Sequence, residues 1–258
     1  MTNKELPIGV FDSGLGGLSL LAHLKRVLPN DRYLFFGDSK YAPYGIRDHA
    51  EIEKLTLSAV ENIVERGVKA LVIACNTATS ICISHLREIY REVPVIGLEP
   101  ALKPAVENSR GGKIVVLATP ATLSEEKFKR LMAKYAGGFD VVPLAAPGLV
   151  EFVENGKTDS AEAREYLEKL FAPFEKGSVE SVVLGCTHFP FISKLIKEVS
   201  ECSVTYDGGK GAALETKRRL EASGLLSSDG RGNTVIENSL GTDEILARGK
   251  MMLSKMEE

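Results

Sequence analysis

The stretch LVIACNT at residues 71–77 places a cysteine and two polar residues directly after an apolar run. The stretch VVLGCTH at residues 182–188 repeats this pattern, with Thr187 and His188 following Cys186. Continuous apolar runs without polar alternation are typical of parallel strands that helices cover on both faces. The two stretches therefore predict two buried parallel strands that each end at a cysteine, Cys75 in the first and Cys186 in the second.

Apolar runs of this kind alternate along the chain with segments of helical period. Strands are predicted over Ile8–Phe11, Tyr33–Phe36, Ala70–Ala74, Val93–Ile96, Ile114–Ala118, Val141–Leu144, Val182–Gly185 and Val204–Tyr206. Helices are predicted over Leu18–Val27, His49–Glu65, Ala78–Tyr90, Ser124–Lys134, Ser160–Phe171 and Phe191–Glu198. This alternation favours an α/β fold with parallel sheets and right-handed crossovers.

The repeat extends beyond the cysteine strands, because the run Ile8–Ser13 is echoed by Ile114–Thr119. Two similar halves explain this spacing, and each half would build its functional edge at the carboxyl ends of its strands. Glycines after Asp207 precede two helical stretches that flank Thr234–Ile236, which indicates an extension returning to the first half. We therefore predict a discontinuous first domain, residues 1–98 plus 207–258, and a second domain, residues 99–206.

Composition limits the class of protein. The chain has 258 residues, of which 44% are hydrophobic and 26% charged, as in ordinary soluble globular proteins. The net charge is −3 and no basic run is present, so nucleic acid is not expected as a partner. The N-terminus does not resemble a signal peptide, and no apolar stretch approaches the roughly 18 residues that span a bilayer. A cytoplasmic location without membrane association is expected.

The four cysteines differ in their surroundings. None belongs to a C-x-x-C pair and the four histidines are scattered, so no metal site is expected. Free cysteines are most often small buried hydrophobic residues, and we interpret Cys82 and Cys202 in this way. Cys75 and Cys186 instead have amide, hydroxyl and imidazole neighbours that can bind a carboxylate or adjust a thiol. These neighbours favour a functional role for both.

Three further segments are candidate site elements. Asp12–Gly17 is glycine-rich and follows a strand, but Ser19 occupies the last position of a G-x-G-x-x-G pattern and Asp12 would repel a pyrophosphate. A loop for a small molecule is therefore favoured over a dinucleotide site. The turn Pro43–Gly45 offers backbone donors and the Tyr44 phenol, although taken alone this segment favours a plain turn over a ligand-binding one. Glu151 begins a helical run, where the helix dipole favours a carboxylate.

The sequence resembles the glutamate racemase family, within the aspartate/glutamate racemase superfamily, over nearly the whole chain. The matching segments are Phe11–Ser19, Gly37–Ser39, Pro43–Gly45, Ala74–Ala78, Ala118–Thr122 and Leu184–Pro190. The resemblance implies two flavodoxin-like α/β halves related by pseudo-twofold symmetry, with the substrate enclosed between them. It also implies a homodimer that makes D-glutamate for peptidoglycan without metal or pyridoxal phosphate. The chain departs from the family at Ser39–Ala42 and at Asp207–Gly209, which leaves the entrance loop and regulation open.

Racemisation removes the α-proton from one face of the amino acid and returns a proton to the other, so two opposed acid/base groups suit it. By resemblance, Cys75 deprotonates D-glutamate and Cys186 deprotonates L-glutamate. We expect Asp12 to assist Cys75 and His188 to assist Cys186, with Glu151 assisting His188. The resemblance implies that the α-carboxylate is bound by a polar set comprising Asn76, Thr77, Thr119, Thr122 and Thr187. It assigns the side-chain carboxylate to Ser13, Tyr44 and Gly45, within the turn that Pro43 begins.

Two alternatives remain open at this point. The same paired thiols could racemise aspartate or another amino acid. A different class, a non-catalytic binding protein or a thiol redox protein, is disfavoured by the polar-flanked cysteines and by the lack of a C-x-x-C pair. No lysine lies at a comparable strand end, so no pyridoxal phosphate is expected.

Overall fold

A computed structural model describes residues 3–227 and 232–257 and has the predicted α/β fold. Its strands form one five-stranded and one four-stranded sheet, both entirely parallel. The strands of the first sheet are β1 (Ile8–Asp12), β2 (Tyr33–Gly37), β3 (Ala70–Ile73), β4 (Val95–Gly97) and β9 (Thr234–Asn238). Those of the second are β5 (Lys113–Ala118), β6 (Val141–Ala145), β7 (Val179–Gly185) and β8 (Val204–Asp207).

The helices lie between these strands in the chain. Their bounds are α1 (Leu18–Val27), α2 (His49–Glu65), α3 (Asn76–Ile89), α4 (Leu102–Glu107), α5 (Pro120–Ser124), α6 (Glu126–Tyr135), α7 (Leu149–Glu154), α8 (Ala161–Phe171), α9 (Ser193–Ser200), α10 (Gly209–Ala222) and α11 (Asp243–Glu257). Short 3-10 helices cover Asn3–Glu5, Ser39–Tyr41, Tyr44–Ile46 and Phe189–Ile192. Within the two described ranges, no helix has both the length and the apolar character to cross a membrane.

The two sheets share a strand order, as the internal repeat predicts. The first runs β4-β3-β1-β2-β9 and the second, read in the same sense, runs β8-β7-β5-β6. Strand β1 therefore corresponds to β5, and the cysteine strand β3 corresponds to β7. Strand β9 is the additional edge strand of the first sheet, where it pairs with β2 from Thr234 to Asn238. The exact domain limits, 98/99 and 206/207, stay a prediction.

Several helix boundaries differ from the sequence-based ones, and one difference matters for the site. Helix α3 begins at Asn76, two residues before the predicted start, because Cys75 acts as its N-cap. The Cys75 sulfur accepts a hydrogen bond from the amide of Ala78 at 3.4 Å. The sulfur thus satisfies one of the backbone donors that a helix start leaves unpaired. Consequently Asn76 and Thr77 lie in the first turn of a helix, directly beside the thiol.

Candidate active site

The polar residues at the strand ends meet where the two sheets face each other. Asp12 ends β1 and Thr187 follows β7, and the Thr187 hydroxyl donates to Asp12 Oδ1 at 3.1 Å. Thr77 follows β3 of the first sheet and Thr119 follows β5 of the second, and their hydroxyl oxygens lie 3.0 Å apart. Because the carboxyl ends of parallel strands lie at one edge of a sheet, these contacts place both cysteine strand ends at a single site.

Cys75 is a buried thiol, 5% exposed. Its sulfur lies 3.3 Å from the Ser13 hydroxyl and accepts the Ala78 amide described above. Burial, and then the negative charge of Asp12, raise the pKa of Cys75 to about 12. Cys186 makes a smaller contribution in the same direction. Cys75 is therefore held as a neutral thiol, which can donate a proton.

Asp12 is completely buried between the two cysteine strand ends. Its Oδ2 accepts the Gly14 amide at 3.0 Å, while Oδ1 accepts the Thr187 hydroxyl. Burial raises the pKa of Asp12 to about 6, although the positive charge of His188 opposes this rise. Gly17 permits this packing, since a Cβ there would lie 2.5 Å from the Asp12 Cβ. The carboxylate is thus charged at neutral pH but titrates close to it.

Cys186 is also buried, at 8% exposed, and lies beside an imidazole. Its sulfur is 3.7 Å from His188 Nδ1. On the opposite side of the ring, His188 Nε2 is 2.6 Å from Glu154 Oε1. Burial alone would lower the pKa of His188, but hydrogen bonds and charge from Cys186 and Glu154 outweigh burial and raise it well above its usual value. The resulting imidazolium lies directly beside the Cys186 sulfur.

The carboxylate that contacts His188 belongs to Glu154, whereas the sequence had predicted Glu151 for this contact. Both residues lie on α7, three positions apart. Glu154 Oε1 also accepts the Leu15 amide at 2.7 Å, which ties α7 to the glycine-rich loop after β1. Glu151 Oε2 is buried without a hydrogen-bond partner among the described residues. Sequence spacing could not separate the two, because the choice depends on how α7 is rotated against the first sheet.

Three threonines form a buried hydroxyl cluster. The hydroxyl oxygens of Thr77 and Thr122 lie 3.2 Å apart, and Thr119 donates to Thr122 at 2.9 Å. Thr119 also caps α5, where its oxygen accepts the Thr122 amide. Gly45 packs against this cluster so closely that a Cβ there would lie 2.5 Å from the Thr119 Cβ. The turn that begins at Pro43 is thereby placed beside hydroxyl groups able to donate to a carboxylate.

The Tyr44 phenol is fully buried, and its hydroxyl donates to Asp38 Oδ2 at 2.6 Å. Burial and Asp38 both raise the pKa of Tyr44 far above its ordinary range, so the phenol stays neutral. The Tyr44 side chain thus fixes the turn to Asp38, and Gly45 is the part of the turn that reaches Thr119.

Asn76 contributes an unused acceptor. Its amide nitrogen donates to the Leu98 carbonyl at 3.3 Å, whereas its Oδ1 is buried with no hydrogen-bond partner in the described part of the chain. Leaving a buried polar atom unpaired costs about 1–3 kcal/mol, which a bound donor would relieve. Asn76 Oδ1 therefore provides a position for a donor such as an ammonium group.

The chain has close relatives among characterised enzymes. It is 50% identical to the glutamate racemase of Clostridium novyi over 256 residues, covering 98% of this chain and 99% of that protein. It is 46% identical to the glutamate racemase of Clostridium botulinum over 255 residues, again covering 98% and 99%.

Solved structures give the same result. A glutamate racemase from Thermus thermophilus, crystallised with beta-chloro-D-alanine, is 35% identical with a TM-score of 0.80 and covers 99% of this chain and 95% of its own. One from Francisella tularensis, crystallised with D-glutamate, is 26% identical with a TM-score of 0.84 and coverages of 97% and 94%. The model of the Asp/Glu/Hydantoin racemase family matches residues 16–213. The chain therefore belongs to the Asp/Glu/Hydantoin racemase family and, as a racemase, is an isomerase.

Proposed function

We propose that this racemase interconverts L- and D-glutamate by a two-base mechanism in which Cys75 and Cys186 act on opposite faces of the α-carbon. The observation that supports this most directly is the unequal state of the two buried sulfurs. Cys75 is held as a neutral thiol, whereas Cys186 lies beside the His188 imidazolium. One group is thus prepared to give a proton while the other is prepared to take one.

For L-glutamate, the Cys186 thiolate removes the α-proton, and the electron pair of the C–H bond remains on the α-carbon. The Cys75 thiol then delivers its proton to the opposite face, which leaves D-glutamate, a protonated Cys186 and a Cys75 thiolate. D-Glutamate reacts by the reverse sequence. Between turnovers the protons on the two sulfurs must exchange with solvent, and His188 and Asp12 are the titratable neighbours able to carry them.

Charged groups of the substrate match the polar groups of the site. We assign the α-ammonium group to Asp12 and to the unpaired Asn76 Oδ1. A carboxylate of glutamate would accept hydrogen bonds from the cluster of Thr77, Thr119 and Thr122. Donors that stabilise charge developing in the transition state contribute about 3–4 kcal/mol each in favourable cases. An ammonium group bound at Asp12 also offsets the charge that raises the pKa of Cys75.

The test is α-proton exchange with purified protein in deuterated water and no added cofactor. Deuterium is expected at the α-carbon of both glutamate enantiomers, and circular dichroism should show each enantiomer converting to the racemate. Parallel reactions with L-aspartate distinguish the alternative substrate. Exchange with aspartate alone would replace glutamate as the substrate, and the absence of exchange with either amino acid would reject racemisation of both.

We further propose that the enzyme is a cytoplasmic homodimer that supplies D-glutamate for peptidoglycan. Support comes from the bacterial glutamate racemases that it matches along nearly their whole length. Light scattering of the eluting protein would give the oligomeric state, and a mass near the 27.9 kDa of one chain would contradict the dimer. D-Glutamate auxotrophy after loss of the gene, relieved by external D-glutamate, would support the biosynthetic role.

A further inference from the structure

Helix α7 ends at the residue whose carboxylate contacts His188. The amides of Asn155, Gly156 and Lys157 satisfy the carbonyl groups of residues 151, 153 and 152, at 3.0, 3.0 and 2.7 Å. Gly156 makes this possible with a φ of +69°, a conformation that L side chains rarely adopt. The carbonyl of Glu154 itself accepts none of these amides, and it accepts a hydrogen bond from Arg248 Nη1 instead. A guanidinium from α11 thus completes the end of α7.

Arg248 is placed for this contact by its own helix. It lies on α11, and its Nη2 donates to Glu244 Oε1 one turn earlier at 2.8 Å. The Arg248 side chain is 25% exposed, whereas that of Glu244 is 81% exposed. The contact with Glu244 is therefore a weak surface ion pair, while the contact with the Glu154 carbonyl links α11 to α7. A positive charge at the end of α7 is also favoured by the helix dipole.

A second connection runs from the C-terminal segment to the same carboxylate. The Asn238 amide donates to the Ser39 hydroxyl at 2.8 Å, and that hydroxyl donates to Glu154 Oε2 at 3.3 Å. The backbone of Glu154 is thus held by α11 directly, and its side chain is linked to β9 through Ser39. The carboxylate in turn contacts the Leu15 amide and the His188 ring.

We propose that Arg248 is a positioning residue for the acid/base group on the Cys186 side. By fixing the backbone at Glu154, the guanidinium keeps the carboxylate within hydrogen-bonding distance of His188, which maintains the imidazolium beside Cys186. Its effect on the reaction rests on the proposed two-thiol function, but its effect on His188 does not. The C-terminal helix therefore contributes to the chemistry without touching the substrate.

The test compares Arg248→Met, which removes the donors, with Arg248→Lys, which keeps a cation able to reach a carbonyl. Glu244→Gln is the matched control, because it breaks the surface contact of Arg248 and leaves the one to Glu154. Arg248→Met is expected to lower kcat about tenfold, since small displacements of positioning groups have effects of this size or larger. KM should change little, Arg248→Lys should recover part of the loss, and Glu244→Gln should match the wild type.

Two further readouts separate positioning from loss of fold. NMR titration of the His188 ring should show a lower pKa in Arg248→Met than in wild type, in protein whose circular dichroism spectrum is unchanged. In a Glu154→Gln background, Arg248→Met should have little additional effect on kcat. An unchanged His188 titration, or a full additional tenfold loss in that background, would overturn the proposal. A shifted titration in protein that does not exchange the α-proton of glutamate would retain the positioning role and reject the proposed function.

Discussion

His188 and Glu154 are 34 residues apart in the chain, yet Nε2 of the ring lies 2.6 Å from Oε1 of the carboxylate. This pair makes the two sides of the site unequal. With its second nitrogen bound to an anion, His188 remains an imidazolium beside Cys186, whereas the titratable neighbour of Cys75 is the carboxyl group of Asp12. Together with the Cys186 contact, Glu154 therefore contributes to the asymmetry of the two sulfurs.

Glu154→Gln should lower kcat/KM about 100-fold, because a neutral amide no longer favours the His188 imidazolium and proton transfer at Cys186 is impaired. The enantiomers have equal free energies, so kcat/KM must fall equally in both directions. The asymmetry should instead appear as a larger isotope effect with α-deuterated L-glutamate than with the D enantiomer. Glu151→Gln, on the same helix, should change kcat/KM less than about threefold. A larger loss in Glu151→Gln than in Glu154→Gln would contradict this assignment.

Gly16→Ala should reduce activity by at least about 100-fold, since displacing an acid/base group costs this much or more. The new Cβ would lie 2.3 Å from His188 Nδ1, so the ring must be displaced from its position beside Cys186. Gly211→Ala is the control, because its Cβ meets no atom within 4 Å. That variant should keep full activity and gain up to about 1 kcal/mol of stability from helix propensity. Steady-state kinetics with thermal unfolding measures both, and a fully active Gly16→Ala enzyme would contradict the prediction.

Cys75→Ser should lower racemisation about 10³- to 10⁴-fold in both directions, because a serine hydroxyl is far less acidic than a thiol. Cys82→Ser provides the comparison, as Cys82 is a fully buried thiol on the neighbouring helix α3. It should lose about 1 kcal/mol of stability through burial of a more polar group and keep its kcat. Racemisation by Cys75→Ser at the wild-type rate would disprove the two-thiol mechanism.

The raised pKa of Asp12 should make stability depend on pH. Between the unfolded value of 3.8 and the folded value of about 6, the folded protein binds a proton that the unfolded chain has released. The free energy of unfolding therefore falls as pH rises through this window, by about 3 kcal/mol for the 2.2-unit difference between 3.8 and 6. Denaturant unfolding at pH 3 and pH 7 should show a loss of about this size in wild type beyond any loss in Asp12→Asn. Parallel pH dependence in the two proteins would refute it.

Thr77→Val should raise KM for glutamate at least about tenfold, since a hydrogen bond to a charged group contributes about 1.5–3 kcal/mol. Thr79→Val tests whether this effect is specific, because Thr79 lies on the same helix and bonds only backbone. Its hydroxyl donates to the Ile73 carbonyl at 3.0 Å and accepts the Leu98 amide at 3.1 Å. That variant should lose stability without a matching rise in KM. Similar KM changes in both would argue against a carboxylate site at the hydroxyl cluster.

The sequence predicts most of the elements whose positions follow from the pattern of hydrophobic residues. Buried parallel strands are continuous apolar runs, so β1 through β8 could be located and the polar residues at their ends grouped into one site. Strand β4 is displaced relative to its prediction, since Pro94 has no amide hydrogen to donate within the sheet.

Contacts that depend on the rotation of one element against another could not be found in this way. Glu151 and Glu154 both follow Gly148 on one short helix, and only the packing of α7 determines which carboxylate meets His188. Arg248 resembles any other arginine on an amphipathic helix, because its role arises from an unpaired carbonyl in a distant segment. In the sequence, Glu154 is visible only as a second acidic residue three positions after Glu151. The structure was needed to identify its contact with His188.

The N-cap formed by Cys75 links the protonation of this thiol to the stability of the first turn of α3. A sulfur that accepts the Ala78 amide becomes a much stronger acceptor whenever it loses its proton. The first turn of α3 should therefore be more stable when Cys75 is a thiolate than when it is a thiol. Hydrogen exchange at the Ala78 amide should therefore be slower when Cys75 is a thiolate than when it is a thiol, so that its rate reports the protonation state of Cys75 in the working enzyme.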